Sequence, residues 1–335
     1  MLTIATVLAF GLALTACKKH EMPMSDKAGG EHKMEAAKYA CPMHPEVTDA
    51  KASKCSKCGM ALKPVMTSSM EHGKGDHKHA SATEATIKVS VTTKSPLQPG
   101  EKTEAILRLS KKDGSPVLLS DLKEAHTKKI HLLINESSLT DYHHEHTEPT
   151  GTPGEYAFSF TPLKPGPYRV WADLVPVATD TQEYSIADIA APMKGEPITE
   201  REVKTVDMVE GLKYEVVFNK TKLIVGEATM GKLKITRSDG KVFDQLEPIM
   251  ATYAHLVAFG EDYKSIVHIH PMGAEPTKDT DRGTGNLEFH IQPEKPGLMR
   301  LYAQVQIGGV SKFARFTLQV LPNLIEGTAH ITRQK

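Results

Sequence analysis

The chain has 335 residues, with 41 Lys and Arg against 41 Asp and Glu, so its formal charge is zero. A dedicated nucleic-acid binder carries a basic excess, and this balance argues against one. At about 150 residues per domain the length predicts roughly two domains plus extras, and 39% hydrophobic residues suffice for sizeable cores. The unusual count is in soft and borderline metal donors: 16 His, 14 Met, and four Cys that all fall within the first 58 residues.

Residues 1–16 (MLTIATVLAFGLALTA) contain no charged side chain and precede Cys17-Lys18-Lys19-His20. A membrane-spanning helix needs about 20 apolar residues, so this shorter run reads as the h-region of a secretory signal peptide. Leu14-Thr15-Ala16-Cys17 resembles a bacterial lipobox. That resemblance implies export, lipid modification of Cys17 as the new N-terminus, and membrane anchoring. Lys18 rather than Asp after the lipidated Cys points to the outer membrane, facing the periplasm. Export changes the cysteine arithmetic. With Cys17 acylated, three thiols remain, an odd number that internal disulfides cannot absorb in an oxidising compartment. Metal ligation would.

Residues 17–38 are polar and without apolar periodicity, and read as a flexible tether. Residues 39–65 hold Cys41-Pro-Met43-His44 and Cys55-Ser-Lys-Cys58-Gly59-Met60. Two chelating pairs, each spaced by two residues and separated by a ten-residue loop, close a four-coordinate site from Cys41, His44, Cys55 and Cys58. The spacing predicts a small zinc-ribbon-like knuckle whose folding depends on its metal. Met43 and Met60 beside the thiolates suit Cu(I) or Ag(I). The whole pattern, Y-A-C-P-M-H-P-E-V followed by C-S-K-C-G-M-A-L, resembles the heavy-metal-binding domain attached to copper-transporting P-type ATPases and to periplasmic adaptors of metal-efflux pumps. That resemblance implies heavy-metal binding and, as a partner, a heavy-metal efflux transporter. Residues 66–85 form a polar linker with His72, His77 and His79, to which no specific site is assigned.

From residue 86 short alternating runs are broken by Pro, Gly and Asp. Strands are predicted at 86–93, 103–110, 129–135, 141–146, 155–160, 168–174 and 182–186, and again at 214–218, 232–236, 252–259, 266–270, 287–291, 298–307 and 310–320. Seven strands in each of two blocks of about 100 residues predict an all-β chain with two tandem immunoglobulin-like β-sandwiches, at 86–189 and 210–322. A Pro-rich linker at 190–209 joins them and a tail follows at 323–335. The sandwiches loosely resemble copper-resistance sandwiches of the periplasm.

The blocks are a repeat. Leu122, His126, His131, His144 and His146 correspond to Leu246, Met250, His255, His268 and His270 at an offset of 124, and Phe158 and Pro165-Gly166 to Phe289 and Pro296-Gly297 at 131. In each repeat a His is followed by His at +13 and +15. A hairpin turning near Ser137–Leu139 brings His131 opposite His144 or His146, with the other as its diagonal neighbour, because side chains two apart on a strand share a face. A turn around Glu261–Tyr263 does the same for His255, His268 and His270. Three converging imidazoles suit Cu(II) or Zn(II). His126 and Met250, five residues before the first His, are candidate fourth ligands if the backbone bends there. For any single His-x-His, surface residues on a solvated sheet face would be the plainer reading; recurrence in both halves favours ligation. Trp171 and Tyr302, at equivalent positions, are expected in the sandwich cores.

The expected function is therefore an exported, lipid-anchored metal-binding protein, not an enzyme. It would sequester copper, with zinc or silver as alternatives, or deliver it to an efflux system. An efflux-pump subunit ranks below it because the long helical hairpin of an adaptor is absent from the sequence pattern. A cupin-like metalloenzyme is a further alternative, from His268-x-His270 with Glu275 downstream, and an adhesion-like sandwich with incidental His is the last.

Overall fold

The computed structural model describes residues 39–40, 47–51, 53–54, 63–64, 85–125, 127–193, 198 and 200–323. Outside them lie the signal segment and Cys17, the tether, His72, His77, His79, His126 and the knuckle residues Cys41, Met43, His44, Cys55, Cys58 and Met60. Of the N-terminal unit, three two-residue strands are described. β1 (Tyr39–Ala40) runs between β2 (Thr48–Asp49) and β3 (Lys63–Pro64), antiparallel to both.

The remaining described residues belong to one compact unit of two β-sandwiches. In the first, one sheet has the order β4 (Lys88–Thr93), β5 (Thr103–Ser110), β9 (Glu155–Phe160), β8 (Glu148–Pro149). The other has the order β11 (Glu183–Ile189), β10 (Tyr168–Leu174), β6 (His131–Glu136), β7 (Tyr142–His146). In the second sandwich the sheets run β12 (Val206–Val209), β13 (Leu212–Phe218), β15 (Thr229–Thr236), β18 (Asn286–Ile291) and β14 (Leu223–Ile224), β20 (Val310–Leu321), β19 (Gly297–Ile307), β16 (His255–Gly260), β17 (Ile266–Ile269). All fourteen predicted strands are present. β8, β12 and β14 are additional, and β12 corrects the linker: Val206–Val209, counted with it in the sequence, pairs antiparallel with β13.

Burial follows strand parity. β5 and β15 alternate between a buried and a more exposed face, as expected of sheets covered on one side. β6 and β16 differ, being buried at all six positions. Their even and odd side chains enter different cores. Leu132 and Ile134 fill the first sandwich with Leu107, Phe158 and Val170, while Leu256 and Ala258 fill the second with Leu233, Phe289 and Leu301. Leu133, Val257 and Phe259 point the other way, into a third cluster shared by both repeats that also holds Tyr142, Trp171, Tyr263 and Tyr302. The outer sheet of each sandwich thus packs against that of the other.

This placement corrects the expectation for Trp171 and Tyr302. Both are buried, but between the sandwiches rather than inside either. Each caps a turn of the other repeat: Tyr302 Oη donates to the Leu139 carbonyl at 2.9 Å, and Trp171 Nε1 to that of Lys264 at 3.4 Å. Leu139 and Tyr263, the equivalent hairpin-turn residues, have φ of +54° and +56°. Such a backbone costs a non-glycine residue of order 1–3 kcal/mol and persists only where its surroundings over-determine it. Here they do. The Tyr263 hydroxyl donates to the Ser137 carbonyl, and Arg169 Nη1 donates to that of Tyr263 at 2.7 Å.

Candidate metal centre

Because odd-numbered positions of β6 and even-numbered ones of β7 face the other repeat, His131, His144 and His146 lie on the buried outer sheet, not on a solvated one. His131 opposes His146 directly in the hairpin and His144 is its diagonal neighbour. His131 Nδ1 lies 3.3 Å from His144 Nε2 and 3.1 Å from His146 Nε2. In the second repeat, His255 Nδ1 lies 3.2 Å from His268 Nε2 and 3.0 Å from His270 Nε2. Within each triad all three donor atoms are within 4.8 Å of one another. Tetrahedral coordination with metal–nitrogen bonds of about 2.0–2.1 Å places neighbouring donors about 3.3 Å apart. The geometry therefore fits a borderline transition-metal ion in each triad.

The hydrogen bonds behind the rings decide their tautomers. His131 Nε2–H donates to the Ala125 carbonyl at 2.9 Å, and His255 Nε2–H to that of Ile249 at 3.2 Å, so the Nδ1 of each carries a lone pair. His144 Nδ1–H donates to Gln304 Oε1 at 2.8 Å, and His268 Nδ1–H to Asp173 Oδ2 at 2.7 Å, which in the neutral rings leaves a lone pair on each Nε2. In both triads two imidazole lone pairs thus face each other across little more than 3 Å. Facing lone pairs repel unless a positive centre lies between them, and the outer hydrogen bonds are the usual means of orienting metal-ligating His.

In the first triad, a proton is a poor occupant of two of the three rings. Burial, reinforced by His268, His131 and His146, holds His144 well below the ordinary histidine range. Burial, with His131 and Lys128, brings His146 down to about 4. Both are neutral at physiological pH and ready to bind a cation. Their depressed values also link stability to pH. At His146 the unfolded chain takes up a proton from about pH 6.5 and the folded one only near 4, with His144 shifted in the same direction, so this contribution is complete above 6.5 and is lost as pH falls. The metal-free protein should melt at progressively lower temperature between pH 6.5 and 4, and His146→Asn should flatten that slope in a calorimetric series.

The triads adjoin. The His144 ring lies 5.3 Å from that of His255 and 5.5 Å from that of His268, and His131 lies 5.8 Å from His268, centre to centre. His131, His144 and His255 are 2%, 7% and 1% exposed, whereas His146 and His270 are partly open to solvent, which leaves an ion an approach. The backbone turns beside the two fourth-ligand candidates. Thr127, Met250 and Ala251 all have positive φ, and Met250 follows the carbonyl that holds His255. Glu275, the cupin-like candidate, is exposed and belongs to neither triad. His143 faces the sandwich core beside Phe160, with Nε2 3.1 Å from Asp141 Oδ1.

Sequence reasoning missed Asp173 and Gln304. Their signal was available: each is a polar residue inside an apolar strand run, and they are equivalent at the offset of 131.

Residues 82–186 and 205–321 match the family described as a domain of unknown function (DUF8832), and residues 38–65 match a heavy metal binding domain. That second match attaches metal binding to the N-terminal segment. No curated protein matches the chain. Solved structures with some likeness include the Escherichia coli adhesin FdeC (16% identity, TM-score 0.22), of which the chain covers 64% with 70% of its own length. MtrC from Shewanella baltica OS185 is 8% identical over 69% of this chain and 68% of that one, with a TM-score of 0.20. A DUF4785 family protein from Legionella pneumophila is 9% identical over 70% and 56%, with a TM-score of 0.23.

Proposed function

From the premise that this chain belongs to the DUF8832 family, a domain of unknown function that matches it across both sandwiches, we propose that it is a metal-holding protein of the cell envelope. It takes up copper, with zinc or silver as alternative cargo, and buffers it or passes it to an efflux transporter. The observation that carries this reading is the pair of imidazole lone pairs facing each other at 3.3 Å and 3.2 Å in the two triads.

The other supports are in the sequence. Leu14-Thr15-Ala16-Cys17 favours export and a lipid anchor, and Lys18 in place of Asp favours the outer membrane, with the domains facing the periplasm; Cys41, His44, Cys55 and Cys58 supply a thiolate-rich knuckle that suits a soft monovalent ion. The imidazole triads suit Cu(II) and Zn(II) instead. One chain would then hold both oxidation states of copper in different donor sets, as a ligand-exchange buffer without turnover.

Anaerobic metal analysis of the mature protein tests this, comparing wild type with a variant lacking Cys41, Cys55 and Cys58. The variant is expected to retain metal in its sandwiches. A variant that binds none would overturn the assignment of the triads.

A further inference from the structure

The residues that orient the two triads come from opposite repeats, and they are not the same residue. Asp173 stands beside His131 on the neighbouring strand yet accepts from His268 of the other repeat at 2.7 Å. Gln304 stands beside His255 yet accepts from His144 of the first repeat at 2.8 Å. Asp173 and Gln304 are 4% exposed each. Both are held from behind. Gln182 Nε2 donates to the two Asp173 oxygens at 2.8 Å and 2.9 Å, and Gln304 Nε2 donates to Ser311 Oγ at 3.0 Å.

We infer that the two triads are one paired centre with unequal positions: a tight one at His255, His268 and His270, and an exchangeable one at His131, His144 and His146. The inference rests on the proposed metal binding and specifies how that metal is distributed. A carboxylate behind an imidazole makes the ring a stronger donor and supplies a negative charge that an ion at the far nitrogen experiences through a buried, weakly screened medium. A neutral amide orients its imidazole equally well but adds no charge. The first divalent ion therefore goes to the triad braced by Asp173. Because rings of the two triads lie within 6 Å of one another, that ion repels the next, which occupies the triad braced by Gln304 more weakly. Both triads have one ring partly open to solvent, His146 and His270, so it is the weaker hold that makes the ion braced by Gln304 the one available for transfer.

Asp173 and Gln304 are positioning residues, and the test reads each triad separately. The full chain with Cys41→Ser, Cys55→Ser and Cys58→Ser is titrated with Zn(II) while the imidazole nitrogens are followed by ¹⁵N NMR. The first equivalent should shift His255, His268 and His270, and the second His131, His144 and His146. Asp173→Asn should weaken the first step by about 10–100-fold, the usual effect of losing such a partner. Gln304→Glu should tighten the second step by about tenfold or more, a gain that a merely disturbed fold cannot produce. If both triads fill together, or if neither substitution changes its step, the unequal pair is overturned while metal binding stands. If neither triad takes zinc, the assignment of the triads as metal sites is overturned with it.

Discussion

Trp171→Ala should destabilise the protein by about 3–5 kcal/mol, the range for deleting a large buried aromatic and leaving a cavity. Trp171 is fully buried, its ring centre lies 4.9 Å from that of Phe259, and its indole N–H donates to the Lys264 carbonyl. Phe259 and Lys264 belong to the second repeat, so the substitution loosens the contact between sandwiches rather than the core of one. Chemical denaturation should then show two transitions in place of one, because the two cores, around Leu107 and around Phe289, no longer share an interface. Leu107→Ala, which removes volume inside the first sandwich, provides the comparison: a loss of about 2–5 kcal/mol confined to that sandwich. A single, merely shifted transition for Trp171→Ala would contradict the view that this cluster holds the two repeats together.

The second large effect is stabilisation by metal. An ion at one hundred times its dissociation constant adds about 2.7 kcal/mol per site, so two filled triads add about 5 kcal/mol. In a unit of this size each kcal/mol moves Tm by about 2–4 °C, which predicts a rise of about 10–20 °C with saturating Zn(II). His131→Ala with His255→Ala should abolish that rise, since each removes the imidazole whose Nδ1 approaches both other rings of its triad. Measured without the knuckle cysteines, an undiminished shift in the double variant would place the stabilising ions elsewhere.

Strand positions were legible because most strands here are covered on one face and advertise it by alternation, as in Thr103–Ser110. The short strand Leu223–Ile224 and the edge strand Val206–Val209 carry too few residues for a period to register. The triads were legible because a recurring +13 and +15 spacing determines a hairpin face without reference to anything distant. What covers that face was not. Alternation cannot distinguish water from a second sheet, so His144 and Trp171 were read without their partners from the other repeat. The hint lay in β6 and β16, where Leu133 and Val257 interrupt the expected polar face.

The crosswise bracing of the two triads has a consequence for symmetry. Two separate copies of one such sandwich, associating through this face as an isologous dimer, would present identical residues on both sides of the axis. Their two metal positions would be equal by necessity, both backed by a carboxylate or both by an amide. Joining the copies in one chain removes that obligation, and Asp173 and Gln304 are free to differ. The stretch between the two sandwiches is thus more than a spacer: it is what permits a pair of otherwise matched sites to have a direction.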